Sequence, residues 1–262
     1  MKDLIKKIVY GVLNVLTLGK GIGRLINGVR IIFPVRYFRF FEADYEKENF
    51  ETFKQHLKEG DVILDIGAHI GLQSVMMSKF AGRTGRVFSF EPTPDTFSIL
   101  KKTIRLNHLT DQISLINKAV SYEKGQTSFN SSTAGVSNSI VNYDPTSKHN
   151  KITVDVISVD LFVKEAGLSK VDFIKIDAEG VEFDVLRGAG ETIRKYHPKM
   201  ILALHPNAIA ANGNSLAQIY DILVNDHYRM TWENRYLTKE EFCTHHDLFD
   251  VYLSYSGEDT NV

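Results

Sequence analysis

The segment Val62-Ile63-Leu64-Asp65-Ile66-Gly67-Ala68-His69-Ile70-Gly71 joins a short apolar run to a turn built on glycines. Gly67 permits a sharp turn and close backbone approach, and Gly71 lets a following helix pack against the strand, as in nucleotide-binding crevices. Such spacing also occurs as plain packing, but two acids add chemistry to it. Glu91 closes the next apolar run, 20 residues beyond Gly71, where a carboxylate accepts hydrogen bonds from both hydroxyls of a ribose. Asp65 ends the first run, beside the loop. A dinucleotide would bring its pyrophosphate close to it, and two unit charges ~6 Å apart at an effective dielectric of ~20 repel by about 3 kcal/mol. The loop also departs from the GxGxxG pattern. A carboxylate there suits a cofactor bearing an ammonium and a sulfonium, which is S-adenosylmethionine.

Such a crevice needs a parallel sheet to hold it. From about residue 59, short apolar runs alternate with helical patterns, the signature of strands joined by crossover helices. The pattern predicts strands at 62–66, 86–90, 113–117, 171–176 and 200–204, with helices near 71–80, 95–107, 181–195 and 215–225. A final antiparallel pair is expected at 228–232 and 248–253, and a lead-in helix over 42–58. The expected fold is α/β, a doubly wound, Rossmann-like, mostly parallel sheet. Residues 121–150 break the rhythm: Ser, Thr and Asn fill 14 of those 30 positions, so this insertion holds a hairpin at most, and reads either as a lid or as a plain loop.

The 262 residues carry a formal net charge of −1 with 43% hydrophobic residues, which fits a globular α/β chain and argues against a general nucleic-acid binder. The lone cysteine, Cys243, forms no internal disulfide, so a reducing compartment, the cytoplasm, is expected. The charge is unevenly spread. Residues 1–41 hold Lys2, Lys6, Lys7, Lys20, Arg24, Arg30, Arg36 and Arg39 against Asp3 alone. Leu4, Ile5, Ile8, Val9, Val12, Leu13 and Leu16 recur at helical spacing, giving a basic amphipathic helix. The uncharged run 8–19 is too short to span a bilayer, and Thr17-Leu18-Gly19-Lys20 is a poor leader-cleavage site. This helix packs on its own domain or a second subunit, or lies on anionic lipid at the inner face of a membrane.

The blocks Leu64-Asp65-Ile-Gly67-Ala-His69-Ile-Gly71, Phe88-Ser-Phe90-Glu91-Pro92, Leu106-Asn107, Ile174-Lys175-Ile-Asp177-Ala-Glu179-Gly180-Val-Glu182, Val185-Leu186-Arg187-Gly188-Ala189 and Leu204-His205-Pro206, in this order, resemble the FkbM-type family of class I methyltransferases. The resemblance covers roughly residues 57–207. It implies a methyltransferase domain over 59–262, preceded by an extension and lead-in helix over 1–58. It also implies an S-adenosylmethionine site comprising Asp65, Gly67, His69, Gly71, Glu91, Pro92, Lys118, Ala119 and Asp177. Within that site Asp65, Gly67 and Gly71 surround the methionine moiety, Glu91 holds the ribose, and Lys118 and Ala119 lie near the adenine. Two positions depart from the family pattern: His69 stands in place of an asparagine, and Ala203 in place of a glutamate.

In an open parallel sheet the ligand lies across the carboxyl ends of the strands. Lys175, Asp177 and Glu179 should therefore converge with His205 and Asn207 beside a transferable methyl. A hydroxyl acceptor, which the resemblance makes a sugar of a glycan or glycolipid, is a poor nucleophile until its proton is being removed. His205 suits the base, with Asp177 orienting it or acting itself, and Glu179 completes the expected catalytic set. Each also has a structural reading: Asp177 as an acceptor for loop N–H groups, His205 as a strand-end histidine, and Glu182 as a helix N-terminal acid. The residue types allow a divalent cation on Asp177, Glu179, His205 and Asn207, but no metal is expected. Cys243, His245, His246 and Asp247 lack the spacing of a zinc site. The run Arg36-Tyr37-Phe38-Arg39-Phe40-Phe41 reads as a strand packed on the core. The alternatives to an O-methyltransferase are a non-catalytic module that binds the same cofactor, or an NAD-dependent oxidoreductase, which Asp65 disfavours.

Overall fold

The structure, a computed structural model, describes residues 2–132 and 149–257. Its centre is an eight-stranded sheet: β1 (Val62–Ile66), β2 (Arg86–Phe90), β3 (Ile113–Ile116), β4 (Phe173–Ile176), β5 (Lys199–Leu204), β6 (Tyr228–Trp232), β7 (Arg235–Tyr236) and β8 (Phe249–Tyr255). Their spatial order is β7-β6-β8-β5-β4-β1-β2-β3. The run from β5 to β3 is parallel, and β8 joins β5 antiparallel, so the expected doubly wound sheet with an antiparallel end is present. The chain leaves β1 for one side of the sheet and reaches β4 on the other, which makes the β1/β4 boundary the switch point where ligands bind.

Alternation along the strands explains why both faces are buried. Leu64, Ile66, Ile174, Ile176, Leu202 and Leu204 pack on one side against Val159, Val185, Leu186, Ile193 and Ile219 from the crossover helices. Ile63, Val87, Phe173 and Ile201 pack on the other against Phe53, Val75, Met76, Leu100 and Ile104. Residues 22–58 belong to this second core: a hairpin of Ile22–Ile26 and Val29–Phe33 contributes Ile26, Ile31 and Phe33. The side chain of Asn107 pins that hairpin, accepting from the Ile32 N–H at 3.0 Å and donating to its carbonyl at 2.8 Å.

Two local expectations are corrected. The helix expected over 181–195 is two, Glu182–Arg187 and Gly190–Tyr196. The break falls at Gly188, where a Cβ would meet the Ser121 carbonyl at 2.3 Å. The aromatic run 36–41 forms turns, not a strand; Phe41 is buried while Phe40 stays exposed. The polar insertion carries the arms of a long hairpin, Gly125–Ser132 against His149–Ile157, joined by Ala119–Val120. The lid reading of 121–150 falls on residues 133–148, outside the described residues. The N-terminal helix Lys2–Leu16 is present, and no helix among the described residues is long and apolar enough to cross a membrane.

Candidate active site

Asp65 and Lys175 are cross-strand partners on one face of the sheet, with Ser89 on the far side of Asp65. Asp65 is fully buried, and its Oδ2 accepts from Ser74 Oγ, which in turn accepts from Ser89 Oγ at 2.9 Å. Lys175 Nζ, itself buried, donates to the Gly67 carbonyl at 3.1 Å and to Asp177 Oδ2 at 3.3 Å, and stands 3.7 Å from Asp65 Oδ1. Burial works to discharge this ammonium, but the carboxylates of Asp177, Asp65 and Glu46 outweigh it and hold the proton firmly. Asp65 is pushed up by burial despite Lys175 and Ser74. Asp65 therefore acts from beneath the glycine loop, and Lys175, expected beside the transferable methyl without a stated chemical part, ties Asp65, Gly67 and Asp177 into one unit.

The loop above them admits little else. Gly67 has φ 81°, and a Cβ there would lie 1.9 Å from the Asp177 carbonyl oxygen. Gly71, φ 93°, caps helix Leu72–Ala81, where a Cβ would meet Leu100 at 2.7 Å. His69 also takes a left-handed backbone, φ 50°, a region in which His and Asn are both enriched. Its backbone N–H donates to Glu91 Oε2 at 3.2 Å, a contact that does not depend on the side chain. The His69 ring packs near Phe40 and Phe41. Glu91 also accepts from the Thr93 N–H at 2.9 Å. Burial, opposed by these backbone donors, pushes its carboxyl up to about 7.

Together these residues line a cleft along the carboxyl ends of β1, β2 and β4. Its main chamber, about 450 Å³, is bounded by Phe40, Phe41, Tyr45, Glu46, Gly67, His69, Glu91, Lys175, Asp177 and Glu179. A slot of about 50 Å³ continues past Glu91 and Pro92 to Lys118, Ala119 and Val120. Gly67, Glu91, Asp177 and Glu179 border both. A larger groove of about 760 Å³ runs between helix Lys47–His56 and β6–β8. From its wall Asn49 donates to Glu46, which lines the chamber, at 3.2 Å and to Asp250.

At the other end of the cleft stands His205, which precedes helix Pro206–Ala211. Its Nδ1 lies 2.9 Å from Glu182 Oε1, and its Nε2 lies 3.7 Å from both Asp177 Oδ1 and Glu179 Oε2. Glu182, expected as a helix-end acid, is completely buried and also accepts from the Gly180 N–H at 3.0 Å. It is the group that orients His205, a role sequence reasoning offered to Asp177. Burial opposes the charge on His205, but Glu182, Asp177 and Glu179 more than compensate and raise it to about 9. Burial likewise pushes Asp177 up, and Lys175 with His205 reverses that, leaving Asp177 below the usual carboxylate range. Asn207 is exposed, in the first turn of helix Pro206–Ala211. The acid missing at Ala203 has a counterpart across the strand pair: Asp250 on β8 sits opposite Ala203, where its charge acts on Asp177, Lys175 and His205.

A Rossmann-like sheet with an acid-lined cleft at its switch point defines the class I methyltransferases. The methyltransferase FkbM domain family matches residues 65–230, and the chain belongs to that family. It is 29% identical over 143 residues to hexuronic acid methyltransferase AglP of Haloferax volcanii, covering 55% of this chain and 56% of that protein. It is 26% identical over 152 residues to 2-O-methyltransferase NoeI of Sinorhizobium fredii, covering 53% and 61%. The chain thus matches between about half and two thirds of the length of these relatives. Methyltransferase FkbM from Methylobacillus flagellatus KT superposes with a TM-score of 0.49 at 19% identity, over 78% of this chain and 50% of that one.

Proposed function

We propose that the protein is an S-adenosylmethionine-dependent O-methyltransferase whose acceptor is a sugar hydroxyl. The observation that carries this reading is the position of Asp177, which borders the cofactor cleft and stands 3.7 Å from His205 at its far end. One residue thereby links the place for the cofactor to a cluster of proton-handling groups.

The residues fit the cofactor. The backbone cradle at Gly67 leaves no room for a Cβ, and Glu46, Glu91, Asp177 and Glu179 line the chamber with acid, which favours a cationic ligand. Asp65 Oδ1 is buried without a hydrogen-bond partner, beneath the loop that would hold the methionine end. Glu91 would accept the ribose hydroxyls, while Pro92, Lys118 and Ala119 would flank the adenine. His69 and Gly71 shape the loop, and Asp65 supports it. When bound, S-adenosylmethionine supplies an electrophilic methyl group on a sulfonium.

Asp177, Glu179 and His205 would receive the acceptor and hold its hydroxyl in line, so that alignment lowers the barrier. A protonated His205 cannot accept a proton, which leaves the carboxylates of Asp177 and Glu179 to take the hydrogen bond of the hydroxyl at neutral pH. A sugar acceptor is supported by the names of the relatives, one acting on a hexuronic acid and one a 2-O-methyltransferase. The test is transfer of an isotopically labelled methyl from S-adenosylmethionine to a panel of uronic acids and glycosides, with the linkage read by NMR. An O-methyl ether is expected, lost in Asp177→Asn; methylation only at nitrogen or carbon would refute the reading.

A further inference from the structure

Asp177 Oδ1, Glu179 Oε2 and His205 Nε2 come from two strand ends and lie within 4.8 Å of one another. The imidazole nitrogen is 3.7 Å from each carboxylate oxygen. That is too long for a direct hydrogen bond. It is the spacing two atoms take when both sit about 2.0–2.2 Å from a shared cation, which separates them by roughly 3–4 Å.

The surroundings favour the same reading. His205 donates through Nδ1 to the fully buried Glu182, so Nε2 is the nitrogen that faces the two carboxylates, and an entering cation displaces its proton to take that lone pair. A carboxylate behind the imidazole is the arrangement that orients and strengthens metal-ligating histidines. Lys175 engages the other oxygen of Asp177, Oδ2, leaving Oδ1 directed at the cluster. All three ligand residues are partly exposed, with side-chain exposures of 31%, 25% and 14%, so an ion and a ligand can reach them.

We propose that Asp177, Glu179 and His205 form a divalent-cation site of the Mn²⁺ or Mg²⁺ type at the acceptor end of the cleft. Two carboxylate oxygens and one imidazole suit these ions, and three protein ligands leave about three positions of an octahedral shell open. Adjacent oxygens of a sugar, two hydroxyls or a hydroxyl and a carboxylate, fit such positions as a chelating pair. This assignment of the open positions rests on the acceptor proposed above; the metal site itself does not.

The test is titration of chelator-treated protein with Mn²⁺, followed by electron paramagnetic resonance of the free ion, with Mg²⁺ as competitor. One saturable Mn²⁺ per chain is expected, weakened tenfold or more in both Glu179→Gln and His205→Ala. Glu182→Gln should weaken it by about 10–100-fold if it folds. Glu91→Gln should bind Mn²⁺ normally while losing affinity for S-adenosylhomocysteine. No saturable binding, or unchanged affinity in both Glu179→Gln and His205→Ala, would overturn the proposal. Normal Mn²⁺ binding without S-adenosylhomocysteine binding would refute the proposed function and leave this site standing.

Discussion

Glu182 Oε1 accepts hydrogen bonds from His205 Nδ1 at 2.9 Å and from the Gly180 backbone at 3.0 Å. This buried carboxylate joins the turn after β4 to the end of β5, and so holds Asp177, Glu179 and His205 in one place. In chelator-treated protein the His205 ring should titrate at about 9 by NMR, and Glu182→Gln should bring it down. The folded value lies above the ordinary 6.5, so the stabilisation is full below about 6.5 and lost as pH rises through about 9. The loss is on the order of 3 kcal/mol, and His205→Ala should flatten the stability profile across that window.

Lys175 is the cation between two buried acids. Lys175→Met strands Asp65 and Asp177 and should lower unfolding free energy by about 3–5 kcal/mol. Adding Asp65→Asn should recover part of that loss. Denaturant unfolding of the single and double variants measures both effects, and a Lys175→Met protein as stable as the parent would contradict this pairing.

Gly67→Ala tests the cradle. The left-handed backbone alone costs about 1–2 kcal/mol for a residue with a Cβ, and the clash with the Asp177 carbonyl adds to it. The variant should lose at least tenfold in affinity for S-adenosylhomocysteine by calorimetry, with a lowered melting temperature.

Glu91 makes cofactor binding pH-dependent. Its carboxyl sits at about 7 in the free cleft, and ribose hydroxyls favour the ionised form. Binding then releases a proton, so affinity should fall by up to about tenfold per pH unit below 7 and level off above it. Glu91→Gln should bind more weakly at neutral pH and show no such slope.

Sequence alone carried the sheet and the loop because their determinants are local. Apolar runs mark β1 and β2, and Gly67 and Gly71 stand where only glycine fits. The Ile22–Phe33 hairpin escaped because its strands are short and interrupted by Gly23, Arg24 and Arg30. Its one strong signal is Asn27-Gly28, both at positive φ, the pair that favours a tight hairpin turn. The role of Glu182 was not legible at all. Its partner His205 lies 23 positions away across a crossover, and nothing in the local pattern separates an orienting carboxylate from a helix-end acid. Lys175 was placed at the strand end, but its pairing with Asp65 was not legible, because it depends on register with the neighbouring strand.

The most direct test of the central claim is calorimetric titration of the purified protein with S-adenosylhomocysteine, with NADH titrated in parallel. The expected result is one S-adenosylhomocysteine per chain, weakened about ten- to a hundredfold by Glu91→Ala, which removes hydrogen bonds to a charged group, and no saturable NADH binding. Saturable NADH binding without S-adenosylhomocysteine binding would contradict the account.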